Sequence, residues 1–198
     1  MTTKTTKLDS VNIILSNIGQ APVTALDTGN PLTETAELVL NEISRTVQAE
    51  GWVFNTEYCY PLIPDVNENV LIPDNILSMD FSPYSDKNVV QRQGKLYDRT
   101  NHTYLFDESL ELDIVWLEEF EDLPEAFISY ITIRAANVFA GRTVGSSEAV
   151  RFGQAEEFQA RASAMEYDTQ QGDYSMFSDS NNLQTYRAFR PVQALYRF

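Results

Sequence analysis

Histidine occurs once in this chain, as His102 in Arg99-Thr100-Asn101-His102-Thr103, and cysteine once, as Cys59. One histidine, with no GxSxG elbow around any serine, gives a Ser-His-Asp relay little to stand on, and His102 reads as a solvated loop residue. One cysteine rules out an internal disulfide and a multi-cysteine zinc site, so Cys59 reads as a small side chain in a strand. No GxxxxGK[ST] occurs and no GxGxxG follows a strand, so nothing cradles a phosphate and no cofactor is expected. Carboxylates are abundant, with 29 Asp and Glu against 14 Lys and Arg. A carboxylate pair cleaves glycosidic bonds when one member is held neutral beside an ionised one, but with so many acids some pair always stands at the right separation. Asp107-Glu108 and Glu118-Glu119-Phe120-Glu121-Asp122 offer oxygens to a hard cation without EF-hand spacing. The second cluster stands just before Pro124, where acids favour a helix N-terminus, so no metal is expected.

A net charge of −15 argues against a DNA-binding surface, which needs Lys and Arg to neutralise phosphates. The plain consequence of such charge is solubility. Should the chain line a passage for DNA, the same charge would keep the duplex from sticking. No apolar run reaches the roughly 18 residues that span a bilayer, so no membrane anchor is expected. Residues 1–7 are not backed by a signal-type apolar segment, which points to synthesis in a cytoplasm.

Any such groups must be positioned by the stretch 31–57, PLTETAELVLNEISRTVQAEGWVFNTE, where a helical period hands over to a strand period. Ala36, Val39, Leu40, Ile43 and Val47 recur every three or four residues and define one face of a helix of about five turns. Asn30 and Pro31 are its start signal and Gly51 its stop. Trp52-Val53-Phe54 then opens a β-branched and aromatic run, and Trp52 and Phe54 are expected to pin a bundle to a sheet. Before this stretch, Leu8, Val11, Ile14, Leu15 and Ile18 predict a first helix capped by Asp9 or Ser10 and stopped at Gly19. After it, strand-like runs fall at 58–63, 69–72, 89–92, 95–98 and 103–106, while 76–81 is ambiguous. Leu110, Leu112, Ile114 and Trp116 alternate with polar neighbours and predict a strand with one buried face. From Pro124 a helix apolar around most of its circumference is expected to be central. Val150, Ala155, Phe158, Ala162 and Met165 predict a fourth helix, ending near Gly172.

Several of these residues also carry a resemblance. Val39-Leu40, Ile43, Arg45, Val47-Gln48, Gly51-Trp52 and Val53-Phe54-Asn55, then Leu96-Tyr97-Asp98-Arg99-Thr100 with Phe106-Asp107, then Met165-Glu166-Tyr167 with Gly172-Asp173-Tyr174, resemble in the same order the tail tubular protein A family. Its members are the adaptors, or gatekeepers, of T-seven-like short-tailed bacteriophages (podoviruses). The resemblance runs over about 8–177. It implies a virion structural protein that forms a dodecameric homo-oligomer ring beneath the portal protein, joins it to the tail nozzle (tail tubular protein B), helps seat the tail fibre, and lines the channel through which DNA is ejected without specific binding. Two alternatives of other classes are a peptidoglycan hydrolase on the same tail scaffold and an acidic adaptor for a host protein. Within the second motif Arg99 is expected to fix the loop to Phe106 by a charge-assisted contact, with Asp98 beside it.

The expected architecture is α+β: residues 1–51 form the first part of a helical bundle of about four helices, 52–122 an inserted antiparallel β region between helices two and three, 123–172 the second part of the bundle, and 173–198 an extended C-terminal arm. Residues 183–198, LQTYRAFRPVQALYRF, carry Arg187, Arg190 and Arg197 and no acid, so eleven basic residues remain against all 29 acids in the rest of the chain. Pro191 interrupts any long helix, and the segment is too short to build a core. It must find a surface, either its own acidic domain or a partner. The resemblance favours the portal or a neighbouring subunit, with Tyr186, Arg187, Phe189, Arg190, Tyr196, Arg197 and Phe198 as interface residues, a composition typical of binding hot spots.

Overall fold

The structure, a computed structural model, describes residues 4–27, 29–81, 88–143, 145 and 147–172. Within them lie helices α1 (Lys7–Asn17), α2 (Pro31–Gln48), α3 (Glu125–Thr143) and α4 (Ser147–Gln171), and strands β1 (Thr56–Leu62), β2 (Ile76–Phe81), β3 (Val89–Arg92), β4 (Lys95–Asp98) and β5 (Leu110–Trp116). The fold is α+β, with the antiparallel strands inserted between α2 and α3.

Local chemistry sets the helix ends. Asn30 accepts a hydrogen bond from the Leu32 amide at 3.0 Å and Pro31 occupies the first turn, so α2 starts as its sequence predicts. The α1 cap lies earlier than expected. Thr6 takes it, its hydroxyl accepting from the Asp9 amide while the Asp9 carboxylate accepts from the Thr6 amide, a reciprocal box that uses Asp9 as the partner and not the cap. Ser10, the other expected cap, is buried and accepts a hydrogen bond from the Thr132 hydroxyl of α3. Ala36, Val39, Leu40, Ile43 and Val47 of α2 are all buried, and α3 packs against each of the other three helices, with Phe127, Ile128, Tyr130, Ile131 and Phe139 inside. Fully burying each such side chain is worth about 1.5–3 kcal/mol, which makes α3 the axis of the bundle core.

Helix α4 forms where its sequence pattern predicts one, and the largest apolar residues of that pattern face outward. Phe158 is 77% exposed and Met165 50%, with Ala155 and Ala162 on the same outward side. Ala160, Ala164 and Tyr167 face the bundle instead. Small residues let α4 lie close on α3 and leave the stripe of largest side chains to solvent.

The handover at Gly51 also differs in detail. Gly51 has φ +76°, a left-handed turn that suits glycine. Val53–Asn55 then forms a short 3₁₀ turn where a strand was expected, and β1 starts only at Thr56. Asn55 causes the delay: its side chain accepts from the Trp52 amide at 2.9 Å and donates to the carbonyls of Gln48 and Trp116.

Strands β1, β5 and β2 form one sheet in that order, and β3–β4 a hairpin. The ambiguous 76–81 run is β2, while 69–72 and 103–106 make isolated bridges to their neighbours and no strand. Leu62, Leu110, Leu112 and Ile114 face Val70, Ile72, Leu96 and Phe106 in a second core, distinct from that of the bundle.

Candidate functional site

Of the four residues singled out in the sequence motifs, Trp52 and Phe54 sit where the two modules meet. Trp52 is buried, donates its indole N–H to the Val47 carbonyl at 2.7 Å, and lies edge-on to Phe127, 4.9 Å away. Phe54 packs on the same Phe127 ring at 4.6 Å. Asp98 is buried too: its carboxylate accepts from the amides of Thr100 and Asn101 and from the Asn101 side chain, folding 98–103 into a tight turn. Arg99 does something other than expected. Its side chain is exposed and has no charged partner among the described residues, while its amide donates to the Asn88 carbonyl at 2.8 Å. The loop is therefore fixed by Asp98, because a short carboxylate reaches amides two and three residues ahead and a long guanidinium does not. His102, exposed at φ +55°, ends that turn 3.5 Å from the Tyr97 hydroxyl. Cys59 is exposed at φ +54°, where the register of β1 on β5 shifts.

One polar constellation was not foreseen. The Tyr130 hydroxyl, on a residue that is otherwise buried, accepts from Arg134 at 2.9 Å and Arg161 at 2.8 Å. Arg161 also makes a two-pronged contact with Glu50, and Arg134 lies near Glu50 and Glu157. Hydrogen bonds donated to Glu50 and Tyr130 push the Arg161 guanidinium still further toward its charged form. These groups tie α4 to α3 and to the end of α2. They hold no nucleophile, and arginine is a poor proton shuttle. The sequence hid them because Glu50, Arg134 and Arg161 are far apart in the chain and lie in no motif.

Between the bundle and the sheet lies a cleft of about 790 Å³ lined by Lys7, Asn41, Ser44, Arg45, Asp74, Asn75 and residues 117–122. Its lining mixes both charges without a nucleophile beside a base. Among the described residues no three His, Cys, Asp or Glu side chains are grouped to hold a metal ion. Three carboxyl pKa values are pushed down: Asp9 by the Thr6 hydroxyl and amide, Glu42 by Arg142, and Asp65 chiefly by the Asn69 amide. A glycosidase acid needs the opposite shift.

What the surface does offer is apolar area at two places. One is the outward stripe of α4. The other is the end of the β module far from the bundle, where Ile63, Val66, Leu71 and Leu105 are each more than half exposed and Asp65 locks the adjoining turn by accepting from the amides of Asn67 and Asn69. Exposed groups of large apolar side chains mark interaction surfaces more often than active sites. The comparison with known families agrees with that geometry: residues 8–174 match the family model described as tail tubular protein. The chain belongs to the tail tubular protein family. Its sequence is also 28% identical, over 152 residues, to tail tubular protein A of Klebsiella phage KP34, an alignment covering 76% of this chain and 81% of that protein.

The match takes in both modules of this tail tubular protein, including Trp52, Phe54, Asp98 and Arg99, and ends at 174. The seven expected interface residues, Tyr186, Arg187, Phe189, Arg190, Tyr196, Arg197 and Phe198, lie beyond it and outside the described residues. No helix among the described residues is long and apolar enough to cross a membrane.

Proposed function

We propose that this tail tubular protein is a virion structural protein, the adaptor or gatekeeper of a short phage tail. Copies form a closed ring, expected to be a dodecamer, that joins the portal to the nozzle and fibres and surrounds the DNA exit path. The observation that carries the reading is the family match across both modules, 8–174. The geometry supports it: the bundle's outward α4 stripe suits contact with a neighbouring subunit, and the apolar far end of the β module suits the nozzle or a fibre. With a net charge of −15, copies around a bore would repel passing phosphates. The arm, with Arg187, Phe189, Arg190, Tyr196 and Arg197 as principal anchors and Tyr186 and Phe198 beside them, reaches the portal.

Deleting 184–198 should leave the melting temperature nearly intact and abolish attachment to portal-bearing heads. Full affinity of the truncated protein for those heads would overturn the arm assignment. The hydrolase alternative gains nothing from Asp9, Glu42 and Asp65, which are held more acidic than usual and so stay ionised. Its own test is zymography on peptidoglycan, where clearing by the pure protein that one Glu or Asp substitution abolishes would establish it. A host-adaptor role would show as a specific host partner held by the free subunit.

A further inference from the structure

The three-stranded sheet has one covered face and one open face. Leu110, Leu112 and Ile114 of β5 turn inward onto the β-module core, and the alternate residues Glu111, Asp113 and Val115 therefore turn outward. Asp80 on β2 stands directly across from Asp113, and Pro61 on β1 across from Glu111. Tyr58, 65% exposed, and Cys59 lie opposite Asp113 at the register shift, and the Cys59 amide donates to the Asp113 carboxylate at 2.9 Å. This face thus combines carboxylates with an exposed aromatic ring. Beyond it, β1 has no second strand partner among the described residues.

The chain leaves the bundle beside this face. Asp168, in the last turn of α4, accepts from the Val53 amide at 2.8 Å, three residues before β1 begins. Val115, at the same end of the open face, lies against the Gly51 turn. Residues 173–182 can span up to about 35 Å if extended, whereas a seven-residue strand is only about 23 Å long. The arginine-bearing segment that follows is therefore within reach of the whole face. Its charge is opposite and its Tyr and Phe rings are suited to an aromatic neighbour.

We propose that in the free subunit residues 183–198 lie across the open face of the β1–β5–β2 sheet of their own chain, with arginines over Glu111 and Asp113 and aromatic rings against Tyr58. Tethering at the α4 end gives a high effective concentration, so contacts too weak between separate molecules suffice here. Salt weakens the arrangement, because its charge pairs are at the surface. It does not depend on the portal assignment: the sheet face holds the arm before assembly, and a portal that takes the arm must displace it.

Cys59, the only thiol of the chain, sits on this face and serves as a native probe. A benzophenone maleimide on Cys59 of the full chain, photolysed in the monomer fraction at low salt, should cross-link within 183–198 of the same molecule. The maleimide labelling rate should rise several-fold on deleting 184–198. The same rise is expected for full-length protein carrying Arg187→Glu, Arg190→Glu and Arg197→Glu together, which guards against misfolding of the truncation. Cross-links only elsewhere in the chain, cross-links between two molecules, or a labelling rate unmoved by the triple substitution would each overturn the proposal. Binding of the triple variant and of Glu111→Lys to portal-bearing heads separates the two readings: Glu111→Lys should free Cys59 yet spare head attachment, whereas the arginine substitutions should weaken attachment as well.

Discussion

Trp52 joins three things: its ring fills the bundle core, its N–H satisfies the last carbonyls of α2, and its edge meets Phe127 on the central helix. Trp52→Ala should cost about 3–5 kcal/mol in chemical denaturation, chiefly through cavity formation. An unchanged midpoint would refute its role as a pin. Thr33 gives the reverse case. It is fully buried on α2, and its hydroxyl has no hydrogen-bond partner among the described residues, so Thr33→Val, nearly the same shape without the hydroxyl, should hold or raise the melting temperature. A clear fall would mean that the hydroxyl is satisfied in solution. Asp98→Ala should destabilise by about 1–3 kcal/mol by releasing two amides, while Arg99→Ala should stay within about 0.5 kcal/mol. The sequence pointed at the right loop here and the wrong neighbour in it. Trp52 and Phe54 follow the glycine stop the sequence marks, and both rings pack on Phe127 of the bundle. Arg99 was misjudged because a charge that marks a motif need not bond anything, whereas an aspartate's short reach to its own turn is a stronger local signal.

At the scale of elements, α4 is the informative case. Its stripe of large apolar residues faces out, and its packing on α3 relies on small residues and on the polar group around Tyr130. Gly153 lies against Asn137, whose amide donates to the Gly153 carbonyl at 2.8 Å, and a Cβ there would fall 2.0 Å from the Asn137 side-chain oxygen. Gly153→Ala should therefore lower stability by about 1–3 kcal/mol, despite alanine's better helix propensity. Adding Asn137→Ala should recover part of the loss, since it removes the clashing group. Strictly additive losses would contradict this packing. Phe158→Ser, by contrast, should leave the melting temperature of the free subunit unchanged and impair assembly. Periodicity correctly placed α2, β3, β4 and β5, whose buried faces are also their most apolar ones. It also placed α4, although the large apolar residues there face outward, and it failed at 69–72 and 103–106, where β-type residues make isolated bridges. The carboxylates that anchor elements carry a pH signature. Asp9 at the α1 cap, Glu42 paired with Arg142, and Asp65 in the β-module turn are all more acidic than usual when folded, so their contribution is present above the ordinary carboxylate range near pH 4 and lost as pH falls through their lower folded values. Asp65→Asn should flatten the acid side of the curve of melting temperature against pH. An unaltered acid limb would show that Asp65 is not anchored in this way.

For the whole molecule, function is legible through the family and its surfaces, and not through any catalytic group. Two cores, the bundle's holding Trp52 and the β module's distinct from it, make a two-part body with apolar area on the outward side of α4 and at the far end of the β module, and the chain continues past α4 into its arginine-bearing segment. Such a distribution suits an interior component of an assembly, since two different patches on one subunit favour head-to-tail contacts, which close into a ring when the rotation permits. The most direct test is electron microscopy of the purified protein mixed with its portal. Closed rings with an open centre, seated coaxially on the portal and lost with Phe158→Ser or with deletion of 184–198, are the predicted result. Particles that remain monomeric beside a bare portal, or that grow into open filaments, would contradict the account.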